Sequence, residues 1–122
     1  MPDSTTTVQD LREAMARFVR ERDWEQFHSP KNLVMGLSVE AAELTEHFLW
    51  IDNEASRGVV HDPAKLGEIA DEMADVTCYL LALCNTLGID LSEAVRAKLV
   101  KNAEKYPAAE FRGRSGREQG GL

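Results

Sequence analysis

Apolar residues recur along the chain at steps of three and four, the period of an amphipathic helix, and nowhere do they alternate singly as a strand requires. Val8, Leu11, Met15, Phe18 and Val19 form one stripe with Thr7 and Asp10 placed as a capping box, which predicts a first helix from about Thr7 to Trp24. Ser29-Pro30 is an N-cap followed by proline in the first helical position. It opens a second helix that carries Leu33, Leu37, Leu44 and Phe48 as far as about Trp50. Asp62-Pro63 repeats the device for the most regular segment, Leu66, Ile69, Met73, Val76, Leu80, Leu83 and Leu87, which Gly88 stops. Asp90 and Glu93 can cap a fourth helix through Val95, Leu99 and Ala103, ended by Pro107. The predicted fold class is all-α, a bundle of four main helices.

Between the helices, Ile51 to His61 reads as a polar connection, and Arg112 to Leu122 as a mobile tail with four glycines in its last ten residues. Residues 1–111 are expected to form a single helical domain and 112–122 its tail. A chain of 122 residues suffices for one domain, yet its long third helix carries apolar residues on more than one side. Association of copies is therefore expected. The 14 Lys+Arg against 21 Asp+Glu give a formal charge of −7, which disfavours a nucleic-acid polymer or an anionic membrane surface as partner. The first seven residues lack a basic start with an apolar run, and the stretch around Val76 to Leu87 falls short of the roughly 20 residues of a membrane span. Cys78 and Cys84, six apart within one predicted helix, form no disulfide framework, so a reducing cytoplasm is expected.

The carboxylates change the picture. Glu40 and Glu43 lie three apart on the second helix, and Leu33, Leu37, Glu40 and Leu44 step by four, three and four, so Glu40 occupies a position that the pattern assigns to the core. A lone buried carboxylate needs a cation or a shifted pKa. On the third helix Glu68, Glu72, Asp75 and Tyr79 step by four, three and four beside the apolar seam. Like charges at these spacings weaken a helix unless a cation lies between them. Two such pairs on facing helices would offer a cage of carboxylate oxygens, the ligand set a hard divalent ion such as Mg²⁺ prefers. The fourth helix supplies the opposite sign: Lys98, Asn102 and Lys105 share a face that can hold phosphate oxygens. Solvated helix faces remain the plain alternative for each stripe, as packing anchors do for Trp24 and Trp50 and a local hydrogen-bonding role does for His28.

E-A-A-E (Glu40 to Glu43), 28 intervening residues and E-M-A-D (Glu72 to Asp75) resemble the E-x-x-E…E-x-x-D signature of the all-α nucleoside triphosphate pyrophosphohydrolases of the MazG type. Arg22 to Leu33, Trp50, D-V-x-x-Y-L (Asp75 to Leu80) and K-x-x-x-N-x-x-K-Y-P (Lys98 to Pro107) look like the dCTP pyrophosphatase branch, and the resemblance covers about residues 8 to 107. It implies hydrolysis of a nucleoside triphosphate, most of all dCTP or a modified dCTP, to the monophosphate and pyrophosphate, in clearing surplus or non-standard nucleotides. It further implies Mg²⁺ held by Glu40, Glu43, Glu72 and Asp75, the same four serving catalysis. Lys98, Asn102 and Lys105 would bind phosphate or sugar, Trp24 and Trp50 would wall the base, and Tyr79 would lie near the sugar. A homotetramer is implied as well. Met15 or its neighbour stands where members of the animal branch carry a base-contacting histidine, and Lys105 where they carry arginine.

Three other readings are separable. The same reaction on another base, such as dUTP, differs only in the base contacts. A carboxylate-bridged di-iron bundle requires a Glu-x-x-His pair on helices, and on the predicted helices and the connection between them neither His47 nor His61 follows a Glu by three. A catalytically silent helical interaction module would lack metal-dependent turnover.

Overall fold

A computed structural model describes residues 1–114 of the chain, all of whose regular elements are helical. The helices are α1 (Val8–Glu21), α2 (Pro30–Glu46), α3 (Asn53–Arg57), α4 (Pro63–Leu87), α5 (Leu91–Lys105) and α6 (Ala108–Phe111), with 3₁₀ turns at Glu25–Phe27 and Gly58–His61. The four long helices are those the apolar period predicts. Contacts divide the chain into two compact units, Met1–Gly88 and the segment from Ile89 onward.

Capping chemistry sets the helix starts in the first unit. Thr7 and Asp10 form the full reciprocal box on α1, Ser29 Oγ accepts from Asn32 N–H (3.2 Å), and Asp62 Oδ1 accepts from Lys65 N–H (3.2 Å). Two ends fall short of the predicted ones. α1 closes at Glu21 because Asp23 adopts φ 52°, where Asp23 N–H donates to Arg20 O (3.1 Å) and Trp24 N–H to Val19 O (3.0 Å). This is a Schellman closure with aspartate in the place glycine usually takes, so it carries no glycine signal. After Glu46 the α2 ladder tightens into turns, with Phe48 N–H reaching Thr45 O (2.9 Å), and Trp50 lies beyond the helix. The expected polar connection contains α3, capped by Asp52 Oδ1 on Ala55 N–H (2.8 Å). α4 does end at Gly88, which takes φ 66°.

α4 packs most extensively on α2, and also on α1. A reciprocal pair ties α1 to the last turns of α4: Arg12 Nε donates to Asn85 Oδ1 and Asn85 Nδ2 to Arg12 O, both at 3.0 Å. Among the described residues the buried apolar side chains are few, namely Val19, Leu33, Ile69, Leu81, Ala82 and Cys84, with Leu33 the most deeply buried. The seam predicted for α4 is corrected in part. Met73, Leu66 and Leu87 are exposed while Leu81, Ala82 and Cys84 are buried, because the helix meets two partners on different sides and its buried face is not one straight stripe.

The second unit holds α5, capped by Asp90 Oδ1 on Glu93 N–H (2.9 Å), and α6 after Pro107. Tyr106 and Phe111 meet edge to face at 5.2 Å. The expected mobile tail lies, from residue 115 on, outside the described residues.

Candidate functional site

Glu40, Glu43 and Glu72 converge: each offers a carboxylate oxygen, and the three oxygens lie within 4.8 Å of one another. The register of α2 explains the first. Leu33 is buried and Leu37 and Leu44 half-buried, so Glu40, between them on the same stripe, is carried inward. Glu72 is drawn in likewise, three residues after buried Ile69 and four before half-buried Val76. Glu40 Oε2 and Glu72 Oε2 are buried with no hydrogen-bond partner, and no lysine or arginine pairs with any of the three among the described residues. Burial, then the adjoining Glu43 carboxylate and the charge of Asp75, push the Glu40 carboxyl up to about 7. The same burial and neighbours raise Glu72, the contact with Glu40 acting in the opposite sense.

A cluster of unpaired carboxylate oxygens fits a hard divalent cation, whose charge removes the repulsion and whose coordination satisfies the orphaned oxygens. Asp75 stands outside the tightest group, yet its charge acts on Glu40, Glu72 and the Cys78 thiol, which burial and Asp75 push up from its ordinary value. One side of the cluster opens on a space of about 430 Å³ bordered by Glu43, Glu46, His47, Lys65 and Glu72. There Lys65 is occupied by Glu68 at 4.0 Å, and His47 lies 3.9 Å from the same carboxylate.

Asp75 also borders an aromatic slot of about 250 Å³, with Met15, Phe18, Trp24, His28, Cys78 and Tyr79. Trp24 stands edge-on to Phe18 at 5.7 Å, and the Arg22 guanidinium covers the Phe18 ring at 3.7 Å. Tyr79 is seated by Gly36, whose missing side chain makes room for the ring: a Cβ there would fall 2.6 Å from Tyr79 Cζ. Trp24, Tyr79 and Asp75 are thus brought together beside Glu40, Glu43 and Glu72. Trp50 is not; it is 89% exposed on the turn after α2 and borders none of these spaces. Lys98, Asn102 and Lys105 share a face of α5 in the second unit, with Asn102 half-buried and Lys105 Nζ 5.3 Å from the Tyr106 ring.

Sequence reasoning missed Phe18, His28 and Cys78 as slot residues. Phe18 reads as core from its stripe, and nothing in local spacing marks the other two.

The model of the MazG-like family matches residues 35–118, spanning both acidic pairs. The chain belongs to the MazG-like family. Among curated relatives it is 38% identical over 110 residues to dCTP pyrophosphatase 1 of Bos taurus, covering 90% of this chain and 65% of that protein. To the Homo sapiens protein of the same name it is 39% identical over 102 residues, covering 84% and 60%. The chain therefore spans less than two thirds of the length of these relatives. A solved pyrophosphatase from Archaeoglobus fulgidus superposes on the MazG-like chain with TM-score 0.76 at 37% identity, covering 88% of this chain and 98% of the other.

Proposed function

We propose that this MazG-like protein is a Mg²⁺-dependent nucleoside triphosphate pyrophosphohydrolase whose substrate is dCTP or a modified dCTP. The observation that carries the reading is the convergence of Glu40, Glu43 and Glu72, two of them with buried unpartnered oxygens, beside an aromatic slot of a size to take a single base. Similarity to the dCTP pyrophosphatases and to the archaeal pyrophosphatase supports the same reaction.

Glu40, Glu43, Glu72 and Asp75 would hold the metal. Mg²⁺ bound there supplies neutralisation of the phosphate charge and acidification of water. Trp24 walls the base, Tyr79 lies at the sugar end next to Asp75, and Lys98, Asn102 and Lys105 serve as a phosphate-binding stripe. Water adds to the α-phosphorus, the bond from that phosphorus to the α,β-bridging oxygen breaks, and pyrophosphate departs with the bonding electrons. The monophosphate keeps the oxygen of water. Trp50, exposed and outside the slot, joins the base walls only through assembly of copies, and a homotetramer is part of this proposal. The biological reading is removal of surplus or non-standard nucleotides in the cytoplasm.

The test is a panel of canonical and modified nucleoside triphosphates in ¹⁸O-labelled water with Mg²⁺. Pyrophosphate release with the label in the monophosphate is expected, with dCTP or a modified dCTP preferred. Orthophosphate release, or no turnover of any nucleotide, rejects the proposal.

A further inference from the structure

The two spaces that adjoin the carboxylates differ in kind. The aromatic slot has no lysine or arginine in its lining, whereas the space of about 430 Å³ toward the start of α4 is bordered by polar side chains throughout, Glu43, Glu46, His47, Lys65 and Glu72. A nucleoside triphosphate has the same asymmetry, with an aromatic ring at one end and anionic oxygens at the other.

The helix lays the two spaces out in order. Lys65, Glu68, Glu72, Asp75 and Tyr79 step by three, four, three and four, so α4 lines them up along one face. At the helical rise about 21 Å of backbone separates Lys65 from Tyr79, and Glu72 lies midway. A nucleotide with its sugar at Tyr79 and its α-phosphate at the carboxylate cluster therefore points its remaining phosphates toward Lys65.

Lys65 and His47 are only loosely held. Lys65 Nζ lies 4.0 Å and His47 Nδ1 3.9 Å from Glu68 Oε2, beyond hydrogen-bond length, and neither side chain makes a hydrogen bond among the described residues. The side chains of Lys65 and His47 are 35% and 16% exposed against 64% for Glu68, so the two basic groups are drawn inward while the acid they share stays in water. An exposed pair of this length contributes little to stability, and a phosphate oxygen can take the place of Glu68 at small cost. Glu46 and Glu68 are the charges that oppose an anion here, since Glu43 and Glu72 belong to the cation site.

We infer that this space seats the leaving pyrophosphate, with Lys65 as the charged contact to the β- and γ-phosphates and the His47 ring as a second N–H donor. The inference rests on the pyrophosphohydrolase reading and adds to it a phosphate subsite on α4, separate from the α5 stripe. As the bond from the α-phosphorus to the bridging oxygen breaks, the negative charge gathers on the pyrophosphate, where a lysine is worth most.

The experiment measures the binding of the two products separately, inorganic pyrophosphate and dCMP, by calorimetry at saturating Mg²⁺ and as inhibitors of dCTP hydrolysis. It uses the wild type, K65M, K65R, H47A and K98A, with the thermal midpoint of each protein recorded. K65M keeps the stem and removes the charge. It is expected to bind pyrophosphate about tenfold more weakly, the scale of one lost charge-assisted hydrogen bond, with dCMP affinity unchanged. K65R should retain most of the pyrophosphate affinity, and H47A should lose less of it than K65M. A merely structural lysine would lower the thermal midpoint and move both products alike. Unchanged pyrophosphate affinity in K65M, equal weakening of both products, or a loss confined to K98A overturns the inference while leaving the pyrophosphohydrolase reading standing. A folded wild type that releases no pyrophosphate from any nucleoside triphosphate overturns the reading itself, and the role of Lys65 with it.

Discussion

Glu72 sits where α4 turns inward, with one oxygen buried and unpartnered. Replacing it by Gln keeps the shape and removes one negative charge from the cluster. Turnover of E72Q is expected to fall by about two orders of magnitude or more, while the thermal midpoint of the metal-free protein holds or rises as like-charge repulsion is relieved. Retention of near wild-type turnover counts against the assignment. Glu40 allows a prediction on pH. Its carboxyl stands at about 7 in the folded, metal-free protein against an ordinary 4.5, so the native state binds more protons than the unfolded state between those values. Stability of the chelator-treated protein should therefore fall as pH rises from about 4.5 to about 7, and Glu72, raised as well, adds in the same direction. Mg²⁺ should recover the loss increasingly toward the upper end, because the cation binds the deprotonated carboxylates. Thermal melts across pH with EDTA and with Mg²⁺ check both signs. For Trp24, substitution by Ala should weaken nucleotide binding by about 1 to 3 kcal/mol, the range for losing an aromatic platform under a base. Calorimetric titration with a non-hydrolysed nucleotide analogue reads that change, and unchanged affinity would make Trp24 a packing residue for Phe18 alone.

At the scale of the helices, the contact between α2 and α4 does two jobs, bringing the acidic pairs together and seating Tyr79 at the slot. Gly36 makes the second possible. In an exposed helix Gly→Ala gains about 1 kcal/mol of propensity, but here the added methyl meets the Tyr79 ring, and overpacking of this kind costs about 1 to 3 kcal/mol. G36A is expected to lower the thermal midpoint and weaken nucleotide binding together. In a Y79A background the same change should become neutral or stabilising, and a G36A penalty that survives there would place its cause outside the ring. Helix starts were legible in the sequence because Thr7, Ser29, Asp62 and Asp90 are caps whose chemistry is local. The ends of α1 and α2 were less so. Asp23 closes α1 in a left-handed conformation without announcing itself, and α2 unwinds into turns before Trp50 with neither glycine nor proline to mark the place.

For the molecule as a whole, the first unit leaves much of its apolar surface uncovered. Val39, Leu49, Trp50 and Met73 are each more than half exposed, and Leu44, Phe48, Leu49, Ile69 and Met73 border an open groove of about 640 Å³. Apolar area on that scale is what association buries. Light scattering at micromolar concentration is expected to give about four times the 13.6 kDa chain mass, and a single 13.6 kDa species contradicts the proposed tetramer. No helix among the described residues is long and apolar enough to cross a membrane by itself.

What the sequence determined by itself was whatever depends on neighbours along the chain. The helical period, the caps, the stop at Gly88 and the misplacement of Glu40 on an apolar stripe are all consequences of spacing, and the two acidic pairs stood out because like charges three apart require an explanation. What only the tertiary structure decided was whatever depends on which helix faces which. It carried Glu72 into the buried face and left Met73 exposed, although period alone favoured Met73. It joined Glu43 to Glu40 and Glu72, kept Trp50 outside the slot that took Trp24, and gave Phe18, His28 and Cys78 a common cavity. The physical reason is that α4 packs against both α2 and α1 on different sides, and the space between helices belongs to no single stretch of sequence.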